Sequence, residues 1–227
     1  MSQLKIYKFL NLNTGGAVPE TNPTVVPQGV QPSVNIDDIY KGVELLNISE
    51  IFSEKTNVNS TYGEMKSEGI RKMIEVAKIG AGDKFIDLGS GNGRAAMEIF
   101  LYSGANTVFG VEFYYERWLN SMNAQKILYR MQPELLNSPR LLTYQLQNIK
   151  DVYFLNMFTV IYMCSTCYPD ELLQTVYDKV KDSKEIRCII THKKFDPFLA
   201  FLPILTTANL PCTWSEHLTW HFYFKSR

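Results

Sequence analysis

Past Tyr62 the apolar positions of this chain fall into two alternating rhythms: short solid runs, and longer stretches in which they recur every three or four residues. The stretch "EMKSEGIRKMIEVAKIG" sets Ile70, Met73, Ile74 and Val76 on one side of a helix, with Gly80 placed to stop it. A short strand "DKFIDL" follows, then a helix "GRAAMEIFLYSG", a strand "NTVFGVEF" and a longer helix "YERWLNSMNAQKILYRM". The alternation continues through strands at "LLTYQL" and "FTVIYM", a helix at "PDELLQTVYDKV" and a strand at "IRCIIT". The end differs, because "CTWSEHLTWHFYF" is strand material with no helix between its parts. Alternation of this kind predicts an α/β fold with a mostly parallel sheet and helices on both faces, and the last segment predicts an antiparallel finish.

Residues 11–35 break both rhythms. Pro19, Pro23, Pro27 and Pro32 interrupt any regular ladder there, so an extended arm is expected. Residues 36–52, "IDDIYKGVELLNISEIF", return to near-helical spacing and predict one or two short helices packed on the main domain. Residues 1–58 therefore read as an arm or linker with short helices, and residues 59–227 as one domain.

Composition narrows the classes. At 227 residues the chain is long enough for one α/β domain with a substantial core. Its 23 Lys+Arg balance 23 Asp+Glu, and no basic run occurs, which removes the simplest support for a nucleic-acid partner. Neither a secretory leader nor a long uninterrupted apolar stretch is present, so an intracellular protein, nuclear or cytoplasmic, away from membranes is expected. Cys164, Cys167, Cys188 and Cys212 lie in or beside apolar runs, the usual setting of buried reduced thiols. Cys164 and Cys167 form a C-x-x-C, but no second pair or nearby His pair completes a zinc set, and no metal is expected.

The candidate chemistry sits in "FIDLGSGNGRAAMEIF". A strand ending in Asp87 runs through Gly89, Ser90, Gly91 and Gly93 into a helix, a turn that lets a ligand approach the backbone closely. Dinucleotide enzymes want G-x-G-x-x-G, whereas the spacing here is D-x-G-x-G-x-G. S-adenosylmethionine carries no phosphate; it offers an ammonium, a carboxylate, a sulfonium, a ribose diol and an adenine. A carboxylate at Asp87 suits the cationic end. Glu112, closing the next strand, can accept both ribose hydroxyls, although it would serve NAD equally. In "LQNIKDV", resemblance to methyltransferases of this fold implies that Asn148 meets the adenine amino group and Ile149 packs on the ring, with a solvated loop polar as the alternative for Asn148.

Two further segments carry a resemblance. "STYGEM" stands ahead of the first helix and "CTWSEHLTWHFYF" at the end. Together with "DLGSGNG" and "GVE" they make residues 62–224 similar to the disruptor-of-telomeric-silencing (DOT-one) family of seven-strand lysine methyltransferases. The resemblance implies a class I (Rossmann-like) methyltransferase fold, a seven-stranded sheet with an antiparallel C-terminal strand, spanning residues 59–227. It implies S-adenosylmethionine as cofactor, with Thr61, Tyr62 and Glu64 in a loop closing over its methionine part and Asp87, Gly89, Gly91 and Glu112 lining its bed. Asn148 takes a position where the family usually has an acidic residue. The family's Asn-Asn-Phe segment at the end of the fourth strand is replaced by Cys164, Ser165 and Thr166, and Tyr168 alone keeps an aromatic there. The basic DNA-holding segments of nucleosomal members do not occur in this neutral chain.

Methyl transfer to an amine needs alignment, exclusion of water and a narrow apolar or aromatic channel. Tyr168, Trp214, Trp220 and Phe222 are the candidates for that channel, with ordinary strand packing as the alternative. His217 and His221 lie in the same segment; a small-molecule or nucleic-acid methyltransferase could use one as a base, with a satisfied surface or core histidine as the preferred reading for each. The expected function is methylation of a lysine in a histone, nucleosome or other protein. Methylation of RNA, DNA or a small molecule is the second reading, weakened by the lack of an N-P-P-Y-type tetrapeptide, and an inactive scaffold is the third.

Overall fold

The computed structural model describes residues 34–45 and 63–226. The expectations for the proline-rich arm, for the remainder of residues 36–52, and for Thr61 and Tyr62 fall outside them. The first described helix, α1 (Ile36–Lys41), is capped by the Asn35 side chain on the Asp37 amide and sinks Ile36 and Ile39 into the core. It packs on the long helix α4 (Tyr115–Met131).

The strands are β1 (Lys84–Leu88), β2 (Thr107–Glu112), β3 (Leu141–Leu146), β4 (Val160–Met163), β5 (Cys188–Thr191), β6 (Ile204–Cys212) and β7 (Ser215–Phe224). They form one sheet in the order β3-β2-β1-β4-β5-β7-β6. The first five pair in parallel; β7 is antiparallel to both β5 and β6, so it alone runs against the rest. Between the strands stand α2 (Ser67–Ala77), α3 (Arg94–Ser103), α4 and α5 (Asp170–Val180).

Alternation along each strand divides the core. Phe85, Val108, Tyr144, Val160, Tyr162, Ile190 and Trp220 join one apolar cluster with Met73, Met97, Phe100, Ala124 and Leu128 of α2, α3 and α4. Residues one step along, Ile86, Phe109, Ile161 and Ile189, are buried outside that cluster, as are Leu173 and Val176 of α5, so helices cover both faces as expected.

Two boundaries differ from the sequence reading. Helix α2 ends at Ala77, three residues short of Gly80, because Lys78 adopts the left-handed capping conformation at φ 49° and sends its amide back to Glu75 and Ile74 carbonyls. Strand β6 occupies "ILTTANLPC", of which the pattern predicts only Cys212 as strand; the last sheet element is a hairpin turning at Thr213 and Trp214. As an edge strand β6 tolerates Pro211, and most of its residues stay at least partly exposed, which blurs its alternation.

The chain steps outward from β1 to β2 and β3, then returns to lay β4 on the other side of β1. Ligands of open α/β sheets settle at such a reversal, outside the carboxyl ends of the strands. No helix among the described residues is long and apolar enough to cross a membrane.

Candidate active site

A cleft of about 900 Å³ opens at this reversal, between the ends of β1, β2 and β4. Gly89, Gly91, Glu112, Asn148, Ile149, Tyr168 and Trp214 line it, and a small side cavity beside it is bounded by Glu64, Asp87, Ser90, Arg94 and Tyr162. Gly63, Gly89 and Cys164 border both.

Asp87 closes in from β1 at 1% exposure, and its Oδ1 has no hydrogen-bond partner among the described residues. Burial raises its carboxyl well above the usual carboxylate range, and the nearby Glu112 raises it further. An unpaired buried carboxyl is a costly group unless a cation or donor meets it.

Glu112 ends β2 and is held on both oxygens. Its Oε2 accepts from the Gly91 amide at 2.7 Å, and Oε1 accepts from the Phe113 and Tyr114 amides at 2.8 Å each. Burial raises its carboxyl, opposed by those backbone donors and by Arg117. The acid is thereby fixed at the cleft floor and ties the glycine turn to β2.

The glycines do different work. Gly89 has φ +89°, and a Cβ there would lie 1.8 Å from the Tyr168 hydroxyl, which donates to the Leu88 carbonyl at 2.7 Å. Gly93 is not in the cleft; with φ +86° it starts α3, and a Cβ would strike Ser121 and Tyr144. A glycine is required there by Ser121 of α4 and Tyr144 of β3, and unlike Gly89 and Gly91 it does not line the cleft. Ser90 turns its hydroxyl toward Gly110 and borders only the side cavity.

Asn148 caps the short 3₁₀ turn Ile149–Asp151, its Oδ1 accepting from the Lys150 amide at 2.9 Å, while Ile149 is buried beside it. The family-specific segments come together in space. The Glu64 amide donates to Thr213 Oγ1 at 3.1 Å, the Thr213 amide donates to the Glu64 carbonyl at 2.8 Å, and the Lys66 amide donates to the Pro211 carbonyl at 2.9 Å. Lys66 also pairs with Glu216. Trp214, at the hairpin turn, lays its ring over Gly63, where a Cβ would fall 2.2 Å from it.

Of the four aromatic channel candidates, Tyr168 and Trp214 are in the cleft. Trp220 and Phe222 are not: both are fully buried. Trp220 stacks on Tyr162 at 5.5 Å, and Tyr162 on Phe85 at 6.1 Å, so β7 turns these side chains into the core row behind the side cavity. His221 Nδ1 bonds the His192 carbonyl at 3.0 Å and His217 is exposed on β7; neither lines the cleft. Lys193 and Lys194 pair with Asp170 and Asp196.

Several lining residues have no strong sequence signal. Arg94 opens α3, where an arginine ordinarily faces solvent. Phe113, Tyr114 and Arg117 follow Glu112, and Leu172 comes from α5. Cys164 is a free thiol pushed up to about 12, chiefly by burial, and stays neutral near pH 7. Among the described residues no group of three or more His, Cys, Asp or Glu side chains is arranged to hold a metal.

A family model described as "Histone methylation protein DOT1" matches residues 40–201. Curated protein sequences give no match. Among solved structures, an RNA methyltransferase from Salinibacter ruber, crystallised with S-adenosyl-L-homocysteine, is 15% identical with a TM-score of 0.47, covering 70% of this chain and 90% of its own. Magnesium protoporphyrin IX methyltransferase from Synechocystis PCC 6803 is 12% identical with a TM-score of 0.48, covering 70% and 79%.

Proposed function

This chain belongs to the histone methylation protein DOT1 family, and from that membership we propose that it is an S-adenosylmethionine-dependent methyltransferase acting on the side-chain amine of a protein lysine, with histones among its acceptors. One observation carries the reading. The segment ahead of α2 and the β6–β7 turn, 149 residues apart between Glu64 and Thr213, are hydrogen-bonded together beside a cleft lined by Gly89, Gly91 and Glu112, with Asp87 in the adjoining side cavity.

The residues fit the cofactor. Asp87, buried with an unpaired oxygen, suits its ammonium, and Arg94 in the same side cavity suits its carboxylate. Glu112, with three of its roughly four acceptor sites taken by backbone amides, keeps one on Oε2 for a ribose hydroxyl, and Ile149 with Asn148 would flank the adenine. When bound, the cofactor supplies an electrophilic methyl group on a cationic sulfur.

What the chain adds is placement and dryness. Trp214, Tyr168, Leu172 and Cys164 give the cleft an apolar and aromatic wall, which favours an uncharged amine over an ammonium and presents ring faces to positive charge. A dedicated base is not required, since an amine that enters deprotonated needs only alignment. Cys164 is not needed as a base and stays protonated.

Trp214→Ala tests the acceptor channel. Turnover on a protein substrate is expected to fall by about tenfold or more while affinity for S-adenosylhomocysteine stays within about twofold. The reverse pattern would move Trp214 to the cofactor side and remove the channel.

A further inference from the structure

Helix α1 lies outside the sheet, yet one of its side chains reaches the glycine turn and another the first residue of α3. The Tyr40 hydroxyl donates to the Asn92 carbonyl at 2.8 Å, inside the turn itself. Asp37 Oδ1 accepts from Arg94 Nη2 at 2.5 Å, and the Arg94 guanidinium sits 5.6 Å from the Tyr40 ring centre. On its other side Arg94 Nε donates to Oε1 of Glu98, a fully buried acid that also accepts from Ser67 Oγ at 2.8 Å. Arg94 is thus clamped between α1 and the body of the domain, and it borders the cavity that holds Asp87.

We propose that Asp37 is a positioning residue of the cofactor site, holding Arg94 so that its guanidinium meets the carboxylate of the ligand's amino-acid end. The inference rests on the cofactor reading above. Two effects of Asp37 compete. As a negative charge it opposes an incoming carboxylate; as a hydrogen-bond acceptor it fixes the arginine. Its side chain is 56% exposed, where water and salt weaken the charge effect, whereas the Arg94 side chain is 19% exposed and is held by Asp37 on one side and by Glu98 and Ser67 on the other. Orientation therefore prevails, and removing Asp37 weakens binding rather than strengthening it.

The test is calorimetric titration of the full chain with two probes, S-adenosylhomocysteine and 5′-methylthioadenosine, which lacks both the ammonium and the carboxylate. Asp37→Ala is expected to weaken S-adenosylhomocysteine by about tenfold and methylthioadenosine by less than about twofold, and Asp37→Asn, which keeps the acceptor oxygen, to restore most of the loss. Tighter binding by Asp37→Ala would overturn the proposal in favour of charge competition. Equal losses on both probes would overturn it in favour of a general structural role. If the unaltered chain binds neither probe, the cofactor reading itself fails and the proposal goes with it.

Discussion

Asp87 shows the conflict between stability and binding within one side chain. Its carboxyl is raised by burial first and by Glu112 second. A carboxyl raised by the fold contributes stability that is fully present below its unfolded pKa and lost as pH rises through the folded one. Asp87→Asn removes the ionising proton, so the variant should be more stable than the unaltered chain in alkaline solution, with the gap closing as pH falls toward the ordinary carboxylate range. Thermal unfolding across pH measures this, and a gap that widens in acid would contradict it. The same variant should lose S-adenosylhomocysteine binding, the trade expected where a functional site holds an unfavourable group. Asp87 and Glu112 were legible as acids at strand ends beside a glycine turn. Trp220 and Phe222 were not, because an aromatic on a strand declares neither of its two faces; pairing register and the stack on Tyr162 decide it. Arg94 was hidden because its partner Asp37 stands 57 residues away.

At the scale of elements, the long periodic segments were readable and the edge was not. The helices and β1 to β5 follow from period alone, since buried parallel strands appear as solid apolar runs. Strand β6 escaped because threonines, Asn209 and Pro211 suit a half-exposed edge and look like a loop. That strand nevertheless builds the site, since its turn holds residues 63–66 in place. Thr213→Val keeps the branched shape and removes the oxygen that accepts from Glu64. Amide exchange at Glu64 should accelerate by about fivefold, the effect of losing roughly 1 kcal/mol of hydrogen bonding, while amides of β1 and β4 keep their protection. Unchanged exchange at Glu64 would mean that the hairpin does not anchor the loop.

For the whole molecule, strand order places chemistry that sequence could only set side by side. The reversal beside β1 gathers the ends of β1, β2 and β4 around one cleft, and the β6–β7 hairpin folds back to wall it. Formal charge is zero, so net charge supplies no long-range attraction to nucleic acid. The most direct measurement is transfer of radiolabelled methyl from S-adenosylmethionine to nucleosomes, free core histones and a whole-cell lysate, with Gly91→Arg, which places a long side chain in the cleft, as the blank. A protein lysine methyltransferase gives label that protease removes, nuclease leaves, the blank lacks and hydrolysis returns as methylated lysine. Label that nuclease removes and protease leaves would contradict that reading.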